Sequence, residues 1–222
     1  MECANGFQVL NDPATRHKTA FRVGNTLYGY DTYCKMDCAK GFHQVLNDPA
    51  TRHKTAFRVG NTLYEWVTMP MGLSGSPATY QAAMEMVLEP VLDRAAHLFY
   101  DDILVKGRGE DDALAHLEEV LQRCDQFGVT LHPEKCEFFK QKIPFLGNVI
   151  SAQGVRPSEP KLAQVAAFTP PTDRKQLRGF LGFANFLRRF VPNYADMAAG
   201  MTRLLSARTH AANVQTVANN SC

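Results

Sequence analysis

The chain has 222 residues, 45% of them hydrophobic, which supports one large or two small cored domains and excludes wholesale disorder. No apolar run approaches the ~18 residues of a membrane span. Glu2 and Asn5 stand where a secretory signal needs a basic start and an apolar stretch, so an intracellular setting, cytoplasmic or nuclear, is expected. The formal net charge of +2 is segregated: residues 1–84 carry eight basic and six acidic side chains, residues 85–134 four and twelve, and residues 135–208 twelve and four. A carboxylate-rich middle suits cations and a basic last third suits polyanions, although solvated helix faces produce the same count.

From the N-terminus, MECANGFQVLNDPATRHKTAFRVGNTLY at residues 1–28 aligns with residues 36–64. The copies differ at Glu2/Asp37 and Asn5/Lys40, and the first lacks a counterpart of His43. Two copies without an amphipathic helix do not make a solenoid. The repeat reads as a recent duplication, with residues 1–35 expected to be loose. In a strand the one-residue offset would flip every later side chain, so the second copy, holding Asp37 and Phe42, is read as the working one. In residues 53–69, VGNT between β-branched and aromatic residues predicts a hairpin. SGSPATYQAAMEMVLEPVL predicts a helix with Ser76 as N-cap, Pro77 at the first helical position and Pro90 ending it. Tyr80, Met84, Val87 and Val91 share one face of it; Ala78, Gln81, Ala82, Glu85 and Leu88 share another.

HLFYDDILV reads as strand, turn, strand. GEDDALAHLEEVLQRCDQFG predicts the clearest helix, with acids in its first turn, Leu114, Leu117, Leu121 and Cys124 at helical spacing, and Gly128 as its stop. VTLHPEKCEFFKQKIPFLGNVIS reads as short strands. Helices are expected from Ser158 to Phe168, from near Thr172 with Leu177, Phe180, Leu181 and Ala184 on one face, and over Tyr194–Leu205. The tail, 206–222, is expected to be disordered. The six cysteines form no C-x-x-C pair, so reduced thiols and no zinc site are expected.

Two adjacent carboxylates, Asp101 and Asp102, interrupt an apolar run. On a straight strand they would point to opposite faces, and burying either without a partner costs several kcal/mol. An exposed hairpin tip explains such a pair alone; a turn aiming carboxylate at a divalent metal explains it together with its neighbours. Those neighbours are CKMDCAKGFHQV, with Asp37 after a strand-like stretch and Phe42 five residues on, then MPMGLSGSPATYQ, a Gly-rich turn before a helix, and IPFLGNVIS.

In this order the four motifs resemble the reverse transcriptase of gypsy-class LTR retrotransposon polyproteins, and KLAQVAAFTPPTDRKQLRGFLGFANFLRRFVPNYADMAAGMTRLL is similar to the thumb and connection of that family; together they cover residues 35–205. The resemblance implies an α+β fold: a palm over 36–157, an antiparallel sheet backed by helices with a fingers remnant near 44–70, then a mostly helical thumb or connection over 158–205. Set against that family, the chain is expected to lack most of a fingers region before Asp37. The implied activity is RNA-directed DNA synthesis from dNTPs on an RNA or DNA template–primer, within a virus-like particle by analogy; the alternative is an inactive remnant that only binds nucleic acid. By resemblance Asp37, Asp101, Asp102 and the Cys38 carbonyl would hold two Mg²⁺ or Mn²⁺ ions. Phe42 would lie under the incoming sugar and Met71 beside the nucleotide. Phe145, Leu146 and Gly147 would form the primer grip, and Arg174, Lys175, Arg178, Arg188 and Arg189 would meet template–primer phosphates.

Overall fold

The computed structural model describes residues 29–206; the first copy of the repeat and residues 207–222 of the tail lie outside the described residues. Residues 32–35, expected to be loose with the rest of 1–35, instead open a largely buried strand that pairs with two others. The chain divides into two compact units, one built from residues up to Phe145 together with Ile150–Val155, the other from Leu146–Val149 and the chain from Arg156 onward.

The first unit is organised by a four-stranded antiparallel sheet. Its strands are β1 (Thr32–Asp37), β4 (Ala96–Phe99), β5 (Asp102–Gly107) and β6 (Glu137–Lys140), in the order β4-β5-β1-β6. The pairings Cys34↔Val105, Met36↔Ile103, Ala96↔Val105 and Leu98↔Ile103 put these residues on one face. That face packs on helices α1 (Ser76–Leu88) and α2 (Glu110–Gln126) through Tyr80, Met84, Val87, Leu117, Val120 and Cys124. At roughly 25 cal/mol per Å², this apolar burial is what makes the sheet a rigid platform.

Both helices correct details of the sequence reading. In α1 the face carrying Tyr80, Met84 and Val87 is buried, and Gln81 and Leu88 of the other face are buried with it. Ser76 is the first helical residue, and Gly75 occupies the N-cap. The Ser76 hydroxyl donates instead to the Pro70 carbonyl at 3.0 Å, tying the preceding turn to the helix. In α2 the buried stripe is Ala113, Leu117, Val120 and Cys124, while Leu114 and Leu121 face outward. Helical spacing fits both stripes; the crowded sheet takes the one with the smaller side chain at its tightest point. There a Cβ on Gly107 would stand 2.3 Å from the Ala113 amide nitrogen.

The opposite sheet face carries Lys35, Asp37, Asp102 and Lys106. Lys106 is buried, with Nζ donating to the Asp93 carbonyl at 2.7 Å, 3.3 Å from His97 Nε2 and 4.6 Å from the centre of the Tyr30 ring. Burial, seconded by Lys106, pushes the His97 imidazole down to about 4. The ring is therefore neutral near pH 7, and its Nε2 can accept from the ammonium when Nδ1 carries the proton. The hairpin read from VGNT is β2 (Phe57–Val59) and β3 (Thr62–Tyr64), with Gly60 in the left-handed region. Both strands are exposed along their whole length.

Strands β7 (Lys142–Phe145), β8 (Asn148–Ser151) and β9 (Gly154–Pro157) form a three-stranded meander. The second unit contains α3 (Glu159–Ala166), α4 (Arg174–Leu187) and α5 (Tyr194–Ser206). The Asp173 side chain caps α4 by accepting from the Gln176 amide at 2.8 Å. This places the cap one residue beyond the predicted start near Thr172.

Because Gly107 meets backbone of α2 rather than a side-chain tip, Gly107→Ala is expected to cost about 2–3 kcal/mol. Urea unfolding checks this: the midpoint falls with m unchanged, and a wild-type midpoint would mean that α2 shifts freely.

Candidate active site

Asp37 ends β1 and Asp102 opens β5, and the antiparallel register sets them directly opposite each other. Like charges in that relation repel. Each is compensated by its own lysine: Lys35 Nζ lies 3.3 Å from Asp102 Oδ1, and Lys135 Nζ lies 3.3 Å from Asp37 Oδ1. Lys35 is two residues before Asp37 on the same strand, hence on the same face. Lys135 arrives from a 3-10 turn, Pro133–Lys135, whose approach is fixed by the His132 amide donating to the Asp37 carbonyl at 2.8 Å.

Asp101 sits in the two-residue connection between β4 and β5, since Phe99 pairs with Asp102. Its neighbour Tyr100 has φ 51°, a left-handed conformation that a bulky side chain adopts at a cost. Contacts on two sides hold the turn. The Tyr100 amide donates to Gln81 Oε1 at 2.7 Å, and Gln81 Nε2 donates to Glu85 Oε1 at 2.9 Å. On the other side the Cys38 amide donates to the Asp101 carbonyl at 2.9 Å.

Strand alternation separates the two adjacent carboxylates. Asp102 joins Asp37 on the face away from the helices, and Asp101 turns toward the helical side. There Asp101 Oδ1 is buried without a hydrogen-bond partner, as is the Tyr80 hydroxyl. Both crowd Gly41: a Cβ on that residue would stand 2.0 Å from Asp101 Oδ1 and 2.4 Å from the Tyr80 oxygen. Glycine alone lets the 3-10 turn Gly41–Gln44 cross at this point. Burial pushes the Asp101 carboxyl upward from its ordinary value, with Asp37 and Asp102 adding to the rise, while the Tyr80 hydroxyl and Lys135 lower it. Burial likewise raises the Tyr80 phenol, and it pushes the Cys38 thiol up to about 12.

Phe42 lies in the same 3-10 turn, packed on Tyr80 with ring centres 5.2 Å apart. Gln44 staples two loops: its Nε2 donates to the Ala39 and Thr130 carbonyls at 2.6 and 3.0 Å, and its Oε1 accepts from the Thr130 amide at 2.8 Å. Met71 is 66% exposed in the loop before α1, beside Gly72 at φ 91°. Phe145 is buried at the end of β7; Leu146 and Gly147, with φ 50° and 74°, make the two-residue connection to β8. Of the five basic residues, Arg174, Lys175 and Arg178 lie in the first turns of α4 and Arg188 and Arg189 follow its end, roughly 20 Å away. The Arg174 guanidinium is engaged, donating to the Leu205 carbonyl at the end of α5.

Thus Asp37, Asp101, Asp102 and Cys38 come together with Phe42, and the basic residues fall into two groups. Among the described residues no three His, Cys, Asp or Glu side chains converge closely enough to hold a metal ion as they stand. The donor chemistry nonetheless fits a hard divalent cation: three carboxylates stand at one sheet end, Asp37 and Asp102 across from each other and Asp101 in the adjoining turn. Four residues of the site escaped sequence reasoning. Lys35 was legible from its i−2 spacing to Asp37. Tyr80 and Gln81 read only as helix-face residues, and Lys135 gave no local signal.

The fold, an antiparallel sheet backed by helices, is that of a polymerase palm. The profile of the reverse transcriptase (RNA-dependent DNA polymerase) family matches residues 8–150, and the chain belongs to that family. It is 36% identical over 177 residues to the retrovirus-related Pol polyprotein from transposon 297 of Drosophila melanogaster, covering 80% of this chain and 17% of that polyprotein. It is 30% identical over 179 residues to the transposon Tf2-3 polyprotein of Schizosaccharomyces pombe, covering 81% of this chain and 13% of the relative. The chain therefore spans less than a fifth of either relative's length. The foamy viral protease–reverse transcriptase solved with double-stranded DNA shares the fold at a TM-score of 0.73 and 21% identity, over 91% of this chain and 38% of that one. The same viral protein solved with an RNA/DNA hybrid superposes at a TM-score of 0.68 and 22% identity, over 86% and 27%. No helix among the described residues is long and apolar enough to cross a membrane.

The raised Asp101 value has a definite sign. A carboxyl that holds its proton more tightly in the folded state contributes stability below the unfolded value of 3.8, and that contribution is lost as pH rises through the folded value. Asp101→Asn is therefore expected to have a higher Tm than wild type at pH 7. The gap should shrink on acidification toward pH 4; calorimetry at both pH values measures it, and a constant gap would reject the assignment.

Proposed function

We propose that this chain carries the RNA-directed DNA polymerase activity of a transposon polyprotein, joining a dNTP to a primer 3′-hydroxyl on an RNA or DNA template. The observation that carries the reading is the Asp37–Asp102 cross-strand pair with Asp101 in the adjoining turn. In this reading residues 36–157 act as the palm, with a fingers remnant near 44–70, and residues 158–205 as the thumb or connection.

Asp37, Asp101, Asp102 and the Cys38 carbonyl would hold two Mg²⁺ or Mn²⁺ ions. Such a pair, when bound, stabilises the attacking and leaving oxygens of an in-line displacement. The protein's own part is orientation. Lys35 and Lys135 keep two mutually repelling carboxylates extended and charge-compensated. Gln81 and the Cys38 amide hold the turn that presents Asp101. Phe42, braced on Tyr80, offers a rigid ring beneath the sugar, where a 2′-hydroxyl would clash. Met71 packs beside the nucleotide without a hydrogen bond to give. Phe145, Leu146 and Gly147 form the primer grip, the glycine allowing close backbone approach. Lys175, Arg178, Arg188 and Arg189, with Arg174, contact template–primer phosphates, which position the duplex without reading its sequence.

Primer extension on an RNA template with Mg²⁺ or Mn²⁺ tests this. Asp37→Asn and Asp101→Asn should each lose about 100-fold or more, and Gly41→Ala should lose a comparable amount by displacing Asp101. All three should retain template–primer binding by fluorescence polarisation. Wild-type extension no greater than that of Asp101→Asn would sink the polymerase reading; retained binding alone would leave a nucleic-acid-binding remnant.

A further inference from the structure

Two buried polar atoms of the site, the Tyr80 hydroxyl and Asp101 Oδ1, make no hydrogen bond of ordinary geometry, yet the hydroxyl lies close enough to Asp101 and to the Cys38 thiol to act on the titration of both. A buried polar group left without a partner is destabilising, and native structures hold few such groups. These two are neighbours, both pressed against the position a Gly41 side chain would fill. Their chemistry is complementary: an ionised carboxylate only accepts, and a phenol can donate. Tyr80 is 1% exposed and braced by Phe42, so its hydroxyl cannot turn to solvent for a partner. Its helix neighbour already serves the same turn, Gln81 accepting from the Tyr100 amide. Consecutive residues of α1 thus address consecutive residues of the turn.

We propose that Tyr80 is a positioning residue for Asp101: its hydroxyl donates to the inner carboxylate oxygen and keeps the outer oxygen turned toward Asp37 and Asp102. The ring fills core, as a phenylalanine would; the hydroxyl sets the rotamer of the carboxylate. Asp101 then offers a cation one oxygen, because the other is held. This consequence rests on the reading of Asp101 as a cation ligand, whereas the Tyr80–Asp101 contact does not.

Two measurements separate these. A double-mutant cycle of Tyr80→Phe, Asp101→Ala and the pair, unfolded with urea in EDTA, needs neither cation nor activity. A coupling of at least about threefold in the unfolding constant is expected; additive effects overturn the proposal. Mn²⁺ binding followed by electron paramagnetic resonance should then show half-saturation about tenfold higher in Tyr80→Phe than in wild type, the cost typical of losing a partner behind a ligand. Unchanged half-saturation with coupling present would overturn the positioning role. Wild type binding no more Mn²⁺ than Asp101→Ala would remove the cation reading of the site, and the cycle would still decide the contact.

Discussion

Two aspartates face each other across adjacent antiparallel strands, and much else in the first unit follows from that repulsion. Left alone, Asp37 and Asp102 would push apart the central pair of the sheet. The strands stay paired because their other face is buried against α1 and α2 and because a lysine reaches each carboxylate. Neither contribution is local. The apolar face makes the sheet stiff, and the stiff sheet tolerates a charge arrangement that a free hairpin would not. The carboxylates are thereby held together before any counter-charge other than the two lysines arrives.

The third carboxylate shows how a two-residue turn resolves a geometric conflict. Alternation would waste one of two adjacent aspartates on the wrong face. Here the left-handed Tyr100 and the bonds from Gln81 and Cys38 fix the turn, and Asp101 remains at the boundary between core and site. Gly41 leaves the space for it. The strain of Tyr100, the burial of the inner Asp101 oxygen and the missing side chain of Gly41 are three expressions of one constraint.

Much of this was legible from residue patterns. Strand, turn and strand around Asp101 and Asp102 followed from an apolar run broken by carboxylates, and α2 from its acidic start and Gly128 stop. The order of the four motifs pointed to the family. What failed was finer. Leu114 and Leu121 match helical spacing as well as Ala113 and Val120 do, and only the tight seat of α2 over Gly107 selects between them. Ser76 has the chemistry of an N-cap, but its hydroxyl found the Pro70 carbonyl first. Lys135 and Gln81 reach the site across long stretches of sequence, and no local period encodes such contacts.

The exposed hairpin has a consequence for how this molecule is observed. Trp66, the chain's one tryptophan, follows β3 and stacks on His43 and sits against Phe57, with ring centres 5.6 and 5.7 Å away. It is 38% exposed and lies outside the packed core. Tryptophan emission will therefore report on this small aromatic cluster and not on the packed sheet beneath the carboxylates. An optical melting curve from Trp66 and a calorimetric one from the whole chain measure different events, and only the second follows the platform on which the site stands.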